Sequence, residues 1–247
     1  MKLLPALLLS AAVFATPAFA AEFNPAQKSE MEAIIKSYLL DHPELLQEMS
    51  DKLKAQQAQA ETIARTKGLK ENAAAIFKSK LDPVVGNPKG NVIMVEFMDY
   101  NCGWCKRSVG EVSQLIESDK DVKVVFKEFP IFGPDSEYAA KAALAANRQG
   151  KYWELHKALY ATEGHVNAAV VDDTATRLGI DVVRMKKDME DTEITKQIDN
   201  NHGLGQLLQL TGTPAFIIDQ SVSPGYIPLD EMKSVVAEVR KAGCKYC

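Results

Sequence analysis

The spacing of apolar residues predicts helices at the start of the chain. Between residues 24 and 53, apolar side chains recur every three or four positions, as they do on one face of a helix. Asp41-His42-Pro43 interrupts this pattern, because proline disfavours a helical conformation in the preceding residue and suits the first turn of a new helix. Two helices are therefore predicted, with apolar faces formed by Met31, Ile34, Ile35 and Tyr38 and by Leu45, Leu46, Met49 and Leu53.

From residue 81 onward the apolar residues follow the pattern of an α/β domain. Dense or alternating apolar runs indicate strands, and three- and four-residue spacing indicates helices. The predicted order is a strand at 91–98, a helix at 102–119, a strand at 122–126, a helical block at about 134–210, two short strands within 215–226 and a last helix at 228–241. This order predicts an α/β thioredoxin fold with an inserted helical domain at about 134–210, preceded by an N-terminal helical stalk.

The first twenty residues have the pattern of a secretory signal peptide. Lys2 is followed by an apolar run from Leu3 to Phe14 and by Ala18-Phe19-Ala20, a small-x-small cleavage site. The alternative is a membrane anchor, but spanning a bilayer takes about 20 apolar residues and this run is shorter. We therefore expect residues 1–20 to be removed and the mature chain to be a soluble protein of the periplasm.

Residues 21–80 are predicted to form a helical stalk and linker ahead of the domain at 81–247. The apolar faces of the stalk must bury against something, either their own catalytic domain or a second copy of the chain. Lys54 to Lys80 is rich in glutamine, alanine and charged residues, so little local core is available and self-association is favoured. The formal net charge of −4 gives no electrostatic reason to expect nucleic acid as a partner.

The four cysteines fall into two close pairs, and the first pair lies where a strand runs into a helix. Cys102 is placed at the start of that helix, where unpaired backbone N–H groups and the helix dipole favour a thiolate. Cys105 follows one turn later, within reach of a disulfide with Cys102. Gly103 lets the backbone turn tightly, and Trp104 offers a flat apolar surface. A structural disulfide and a four-cysteine zinc site are the alternatives, but the distance between the two pairs and the strand–helix context favour redox chemistry.

Two further segments are candidates for the same site. Glu96 lies six residues before Cys102, where strand alternation places it under the cysteine pair. A carboxyl buried there has a raised pKa and can relay the proton of Cys105, although apolar residues on both sides leave a solvent-facing orientation open. Pro214 opens the strand after Thr213. Most X–Pro bonds are trans, but together with the cysteine pair a cis bond is favoured.

These motifs together resemble the DsbA-like thiol:disulfide interchange family over about residues 82–241. The motifs are Cys102-Gly103-Trp104-Cys105, Glu96 upstream and Gly212-Thr213-Pro214 downstream. The resemblance implies that Cys102 is the nucleophile, Cys105 the resolving thiol, Glu96 a buried acid and Pro214 a cis-proline. It also implies that an extended substrate peptide pairs with the backbone of Thr213 beside Gly103 and Trp104. No cofactor is expected.

The dipeptide between the cysteines and the stalk refine the predicted task. Trp104 stands where strongly oxidising members of the family carry histidine, so a less extreme potential is expected. The N-terminal segment resembles the stalk of the suppressor-of-copper-sensitivity protein C group, some of whose members trimerise. The resemblance therefore implies a homotrimeric disulfide isomerase acting on misfolded or reduced exported proteins, with a membrane redox partner that resets the cysteines. The alternatives are a dithiol oxidase, a membrane-fed reductase and, from another class, a copper-binding resistance protein.

The second pair, Cys244 and Cys247, has no strand before it, so activation by a helix N-terminus is absent. Three interpretations stay open. The pair forms a local disulfide, captures copper(I) or zinc through two thiolates, or exchanges with Cys102. No metal site is predicted for the chain, and Cys244 and Cys247 are the residues that would be its candidate ligands.

Overall fold

Ten helices and five strands make up residues 23–247, which are the part of the chain that the computed structural model describes. The predicted signal peptide at residues 1–20 lies outside the described residues. The helices are α1 (Pro25–Asp41), α2 (Glu44–Glu71), α3 (Ala73–Phe77), α4 (Gly103–Ser118), α5 (Pro134–Asn147), α6 (Tyr152–Ala161), α7 (Ala168–Arg177), α8 (Val182–Met189), α9 (Thr192–Leu207) and α10 (Leu229–Ala242). The strands are β1 (Val84–Gly86), β2 (Val92–Met98), β3 (Val122–Glu128), β4 (Ala215–Ile218) and β5 (Ser221–Ser223).

The strands form one mixed sheet in the order β1-β3-β2-β4-β5. Strands β2 and β3 are parallel and are joined through α4, while β1, β4 and β5 each run antiparallel to their neighbours. Helices α5 to α9 lie between β3 and β4 in the chain. The predicted thioredoxin fold with an inserted helical domain is confirmed.

The central strand β2 is buried on both faces, which explains why its sequence is a nearly continuous apolar run. Met94 and Met98 belong to the core cluster that contains Cys102 and Cys105. Val95 and Phe97 belong to a second cluster on the opposite face of the sheet. Glu96 therefore points to the same face as Met94 and Met98, because side chains alternate along a strand. The apolar neighbours of Glu96 in the sequence did not reveal this direction.

The described residues divide into two units, residues 23–56 and residues 57–247. In the described part of the first unit, helix α1 has no buried residue, although it begins with a complete capping box at Asn24 and Gln27. Its apolar side chains are all exposed, as are several in the adjoining part of α2. The exposed apolar residues of this unit are Phe23, Met31, Ile34, Ile35, Tyr38, Leu39, Leu40, Leu46, Met49 and Leu53.

The second unit includes part of the segment predicted as a linker. Leu69 from α2 and Ile76 and Phe77 from α3 are buried in the second core cluster. The helical pattern there was too sparse to show that these residues join the core formed around the sheet. The domain boundary at residue 80 stays a prediction.

Cys244 and Cys247 form a disulfide, which is the first of the three interpretations of this pair. The segment is held by Asp219, whose carboxylate accepts the backbone N–H groups of Lys245 at 2.9 Å and Tyr246 at 3.0 Å. Within the same segment, the ring of Tyr246 stacks on the ring of Phe77, with 5.6 Å between the ring centroids.

The disulfide lies at the end of β2 remote from Cys102. The backbone N–H of Ile93 donates to the sulfur of Cys247 at 3.1 Å, whereas Cys102 follows the other end of the strand. Ile93 and Met98 are separated by roughly 17 Å at about 3.3 Å per residue. Exchange between the two pairs within one molecule would have to cross this distance.

Candidate dithiol active site

Cys102 occupies the junction between a tight turn and a helix. Its backbone N–H donates to the carbonyl of Asp99 at 3.1 Å, which closes a turn over Tyr100 and Asn101. Cys102 is also the N-cap of α4, with an extended backbone and a side chain that forms no cap hydrogen bond. Its sulfur therefore lies where backbone N–H groups of the first helical turn are free to stabilise negative charge.

The surroundings of Cys102 favour its thiolate. The pKa of Cys102 is lowered to about 6, chiefly by a hydrogen bond from the Cys105 thiol. Burial opposes this shift, while the Thr213 side chain and the backbone N–H groups of Cys105 and Trp104 add to it. Cys102 is therefore largely ionised at neutral pH, which is the reactive form of a thiol.

Cys105 has the opposite character, although it is one turn away in the same helix. Its side chain is only 1% exposed, and burial raises its pKa far above that of an ordinary thiol, with the hydrogen bond to Cys102 acting in the same direction. Both cysteines are free thiols. Both residues are buried, with Cys102 5% exposed, so the structure brings together one sulfur that ionises readily and one that stays neutral.

Glu96 is buried beneath this pair, as predicted. The residue is 3% exposed, and burial raises the pKa of its carboxyl to about 8. The Ser108 hydroxyl offsets part of that rise, and the charge of Cys102 adds to it. A carboxyl with a pKa near neutrality is able to accept and return a proton in the working range of pH.

The raised pKa of Glu96 predicts how the stability of the reduced protein depends on pH. Between about pH 4.5 and 8 the folded state holds a proton that the unfolded state has lost, so stability falls as pH rises through this window. Relative to Glu96→Gln, the wild type should lose at most about 1.4 kcal/mol per pH unit. Urea unfolding of both reduced proteins at pH 5 and pH 8 measures this difference.

Glu238→Gln is a matched control for that comparison, because Glu238 is an exposed carboxyl on α10. Its stability relative to the wild type should be the same at both pH values. A constant difference between the wild type and Glu96→Gln would contradict the raised pKa of Glu96.

The loop before β4 completes the site. The Thr213–Pro214 peptide bond is cis, which confirms the prediction. The thiol of Cys102 donates to the carbonyl of Thr213 at 3.1 Å, across 111 residues of sequence. A substrate chain that paired with this loop would therefore lie directly beside the reactive sulfur.

Trp104 forms an exposed aromatic surface next to Cys102. It is 56% exposed, and its ring centroid lies 5.4 Å from that of Tyr226. The guanidinium of Arg107 lies over both rings, at 5.7 Å from Trp104 and 5.0 Å from Tyr226. A groove of about 300 Å³ is lined by Trp104, Thr213, Gly225 and Tyr226.

The role predicted for Gly103 in a tight turn is wrong. Gly103 begins α4, and a Cβ atom at this position would meet no atom within 4 Å. The tight turn lies one residue earlier, between Asp99 and Cys102. A glycine here leaves open space at the start of α4 rather than relieving backbone strain.

Sequence reasoning missed Arg107, Tyr226 and Asp99. Arg107 could have been predicted, because it lies three residues after Trp104 on the same helix and side chains at that spacing are neighbours. Tyr226 carried no signal, since only the fold brings the loop after β5 to α4. Asp99 is a buried carboxylate that accepts the backbone N–H groups of Ile131 at 2.7 Å and Phe132 at 3.0 Å.

The fold, the cis-proline loop and the unequal thiols define a thioredoxin-fold dithiol protein. A family model described as the DSBA-like thioredoxin domain matches residues 93–237, which is more than half of the chain. The chain belongs to this DsbA-like family of thiol:disulfide oxidoreductases. A second model, the N-terminal domain of copper resistance protein ScsC, matches residues 27–60. The resemblance inferred from the motifs and the stalk is confirmed.

Solved structures of similar proteins agree with this assignment. A thioredoxin-like oxidoreductase from Silicibacter pomeroyi is 39% identical, with a TM-score of 0.68 and coverage of 69% of this chain and 98% of that chain. A linker-deletion mutant of Proteus mirabilis ScsC is 26% identical, with a TM-score of 0.69 and coverage of 91% of this chain and all of the other.

Curated relatives match over part of their length. Disulfide bond formation protein D from Bacillus subtilis is 24% identical over 174 residues, which are 66% of this chain and 78% of that protein. A Na⁺/H⁺ antiporter, NhaA 1 from Salinispora arenicola, is 27% identical over 157 residues. The chain spans 24% of the length of that antiporter.

Proposed function

We propose that the chain is a periplasmic disulfide isomerase that acts on misfolded exported proteins through Cys102 and Cys105. Two observations support the thiol chemistry, namely the lowered pKa of Cys102 and its contact with the Thr213 carbonyl. One observation carries the choice of isomerase, which is the exposed apolar face of residues 23–56. Such a face favours association with other copies of the chain, and this association would bring several catalytic domains into one assembly.

In the proposed mechanism the Cys102 thiolate attacks a substrate disulfide. One sulfur–sulfur bond forms between Cys102 and the substrate while the substrate bond breaks, and the released substrate sulfur takes the electron pair as a thiolate. Isomerisation follows when a different substrate thiolate attacks this mixed disulfide and releases Cys102 unchanged. No net oxidation or reduction occurs in that cycle.

The mixed disulfide can also be resolved by the buried thiol of Cys105. Glu96 accepts the proton of Cys105, and the resulting thiolate forms a bond to Cys102 while the substrate leaves as a thiolate. The substrate is then reduced and the cysteine pair is oxidised. A membrane redox partner that supplies two electrons restores both thiols. An oxidase would run these steps in reverse.

The stalk is proposed to assemble three chains. Apolar side chains along α1 are exposed throughout, and burying such surface stabilises association by roughly 25 cal/mol per Å². Residues 27–60 match the ScsC N-terminal model, which covers this same segment. Three catalytic domains held together could engage several cysteines of one misfolded substrate.

Deleting residues 24–53 tests the isomerase proposal. The shortened protein should be monomeric and should still reduce a small disulfide, because the cysteines and their surroundings are unchanged. Its rate of refolding scrambled ribonuclease should fall about tenfold, since the loss of linked sites removes the gain in effective concentration. Light scattering, a thiol-reduction assay and ribonuclease recovery measure the three quantities.

Point variants test whether the loss of assembly, rather than the loss of residues 24–53 themselves, lowers the rate of ribonuclease refolding. Ile34→Glu and Ile35→Glu together place charge on the exposed apolar face and should reproduce the monomer, whereas Lys36→Glu on the same helix should not. Ribonuclease recovery equal to that of the wild type in a monomeric variant would contradict the isomerase proposal.

Export to the periplasm is proposed from residues 1–20. Among residues 23–247, no helix is long and apolar enough to cross a membrane. Cell fractionation followed by sequencing of the mature N-terminus checks cleavage after residue 20. Full-length protein retained in the membrane fraction would contradict the proposal.

Copper binding remains the hypothesis of another class, prompted by the description of the family model that matches residues 27–60. Cys102 and Cys105 are the thiols available to copper(I) in this state, because Cys244 and Cys247 are joined to each other. Titration of the reduced protein with copper(I) would favour this hypothesis if Cys102→Ser lowered the stoichiometry and the wild type lacked exchange activity.

A further inference from the structure

Glu128 is a second buried carboxyl near the cysteines, and the steps above do not use it. It ends β3, is 0% exposed and lies opposite Met98 in the register of β2 and β3. One carboxyl oxygen, Oε1, accepts two hydroxyl groups, from Tyr152 at 2.9 Å and from Tyr100 at 3.1 Å. The other oxygen, Oε2, is buried and has no hydrogen-bond partner.

The surroundings of Glu128 favour its neutral form. An unpaired carboxylate oxygen in the interior is costly, and burial raises the pKa of Glu128 well above its ordinary value. The nearby imidazole of His156 is also buried, and its Nδ1 lies 3.2 Å from the Tyr100 hydroxyl. Burial lowers the pKa of His156 to about 3, so this group is neutral as well. The cluster is therefore a network of uncharged hydrogen bonds.

Tyr100 connects this network to the reactive cysteine. The turn closed by the Cys102 N–H and the Asp99 carbonyl has Tyr100 and Asn101 as its two central residues. Asn101 is fixed by its own side chain, which bonds the backbone N–H and carbonyl of Val166 at 2.8 and 3.1 Å. The Tyr100 ring packs on those of His156 and Tyr160, and its hydroxyl bonds Glu128 and His156. At the other end of the turn, the Tyr160 hydroxyl donates to the Asp99 carbonyl at 3.0 Å.

We propose that Glu128 is a positioning residue of the dithiol site, which holds the Tyr100 hydroxyl and thereby the turn that places Cys102 at the start of α4. The proposal rests on the assignment of Cys102 as the attacking thiol. It adds a role for a residue of β3 that touches neither sulfur. The thiolate of Cys102 is stabilised by groups whose directions depend on this turn, so a displaced turn raises the pKa of Cys102.

Three substitutions test the proposal. Glu128→Gln keeps an acceptor and the same shape, so it should behave as the wild type. Glu128→Leu removes the acceptor, and Tyr100→Phe removes one hydroxyl while keeping the ring. In both of these, the pH midpoint of Cys102 alkylation by iodoacetamide should rise by about one unit, and alkylation below the midpoint should slow about tenfold.

Tyr138→Phe is the matched control. It removes a hydroxyl that donates to the carboxylate of Asp172 at 2.8 Å within the helical insertion. It should lower the melting temperature without moving the alkylation midpoint. If Glu128→Leu fails to fold, Tyr100→Phe decides the question, since it leaves the Glu128 bond to Tyr152 in place.

An unchanged alkylation midpoint in Tyr100→Phe and Glu128→Leu, with only a lower melting temperature, would overturn the positioning role. A raised alkylation midpoint in Glu128→Gln would also overturn it, because this neutral side chain of the same shape should keep the bond to the Tyr100 hydroxyl. These readouts concern the thiol itself. Failure of the wild type to refold scrambled ribonuclease would instead reject the isomerase function and leave the role of Glu128 standing.

Discussion

Cys102→Ser should reduce thiol:disulfide exchange to the background rate. Serine has no sulfur to form the mixed disulfide, and Cys105 cannot substitute because it is buried and its pKa is raised far above neutrality. Turnover of a small disulfide and refolding of scrambled ribonuclease should be lost together. The far-ultraviolet spectrum should remain that of the wild type, because the hydroxyl is smaller than the thiol it replaces.

The double variant Cys244→Ser and Cys247→Ser is the control for loss of a cysteine pair. This disulfide is separated from Cys102 by the length of β2, so its removal should leave the exchange rate within about twofold of the wild type. It should lower stability, since Tyr246 and Cys247 pack against the second core cluster. Comparable loss of exchange in both variants would contradict a division of labour between the pairs.

The fold could be predicted because each element carries its own local pattern. Strand β2 is a continuous apolar run, α4 has a regular apolar face, and the order of elements leaves few topologies open. Glu96 and Pro214 were found because they stand at fixed offsets from the cysteines or from a strand. The patterns that succeeded are those that span a few residues.

The parts that could not be predicted depend on contacts between distant segments. Tyr100 meets Glu128 across 28 residues, and Cys102 meets Thr213 across 111. No spacing rule relates such positions, since the fold alone brings them together. Leu69 was assigned to a polar linker for the same reason, because a single apolar residue in a polar helix reveals its burial only when its partners are known.

The two thiols owe their difference to backbone placement more than to their neighbours in sequence. Both follow the same strand and lie in the same turn of one helix. Cys102 is the N-cap, where it faces free N–H groups and the Thr213 loop, whereas the side chain of Cys105 points back into the core above Glu96.

Cys105→Ser should trap the mixed disulfide that the wild type resolves. Cys102 remains able to attack a substrate disulfide, but Cys105 is no longer present to resolve the resulting mixed disulfide. A well-placed intramolecular nucleophile has an effective concentration of about 10⁵ M or more, so millimolar external thiol does not replace it. For a substrate with a single disulfide between two small peptides, where no further substrate thiol is held near the mixed disulfide, the lifetime of the complex with Cys102 should increase by more than about a hundredfold. Non-reducing electrophoresis after acid quenching measures it.

Cys105→Ala sharpens this prediction, because alanine removes a hydrogen-bond donor that serine retains. The Cys105 thiol is the largest single cause of the lowered pKa of Cys102. Both variants should trap substrate, but Cys105→Ala should attack more slowly below pH 7, since its Cys102 thiol ionises at higher pH. Equal attack rates in the two variants at pH 6 would show that the helix N-terminus and the Thr213 loop, without Cys105, are sufficient to stabilise the thiolate.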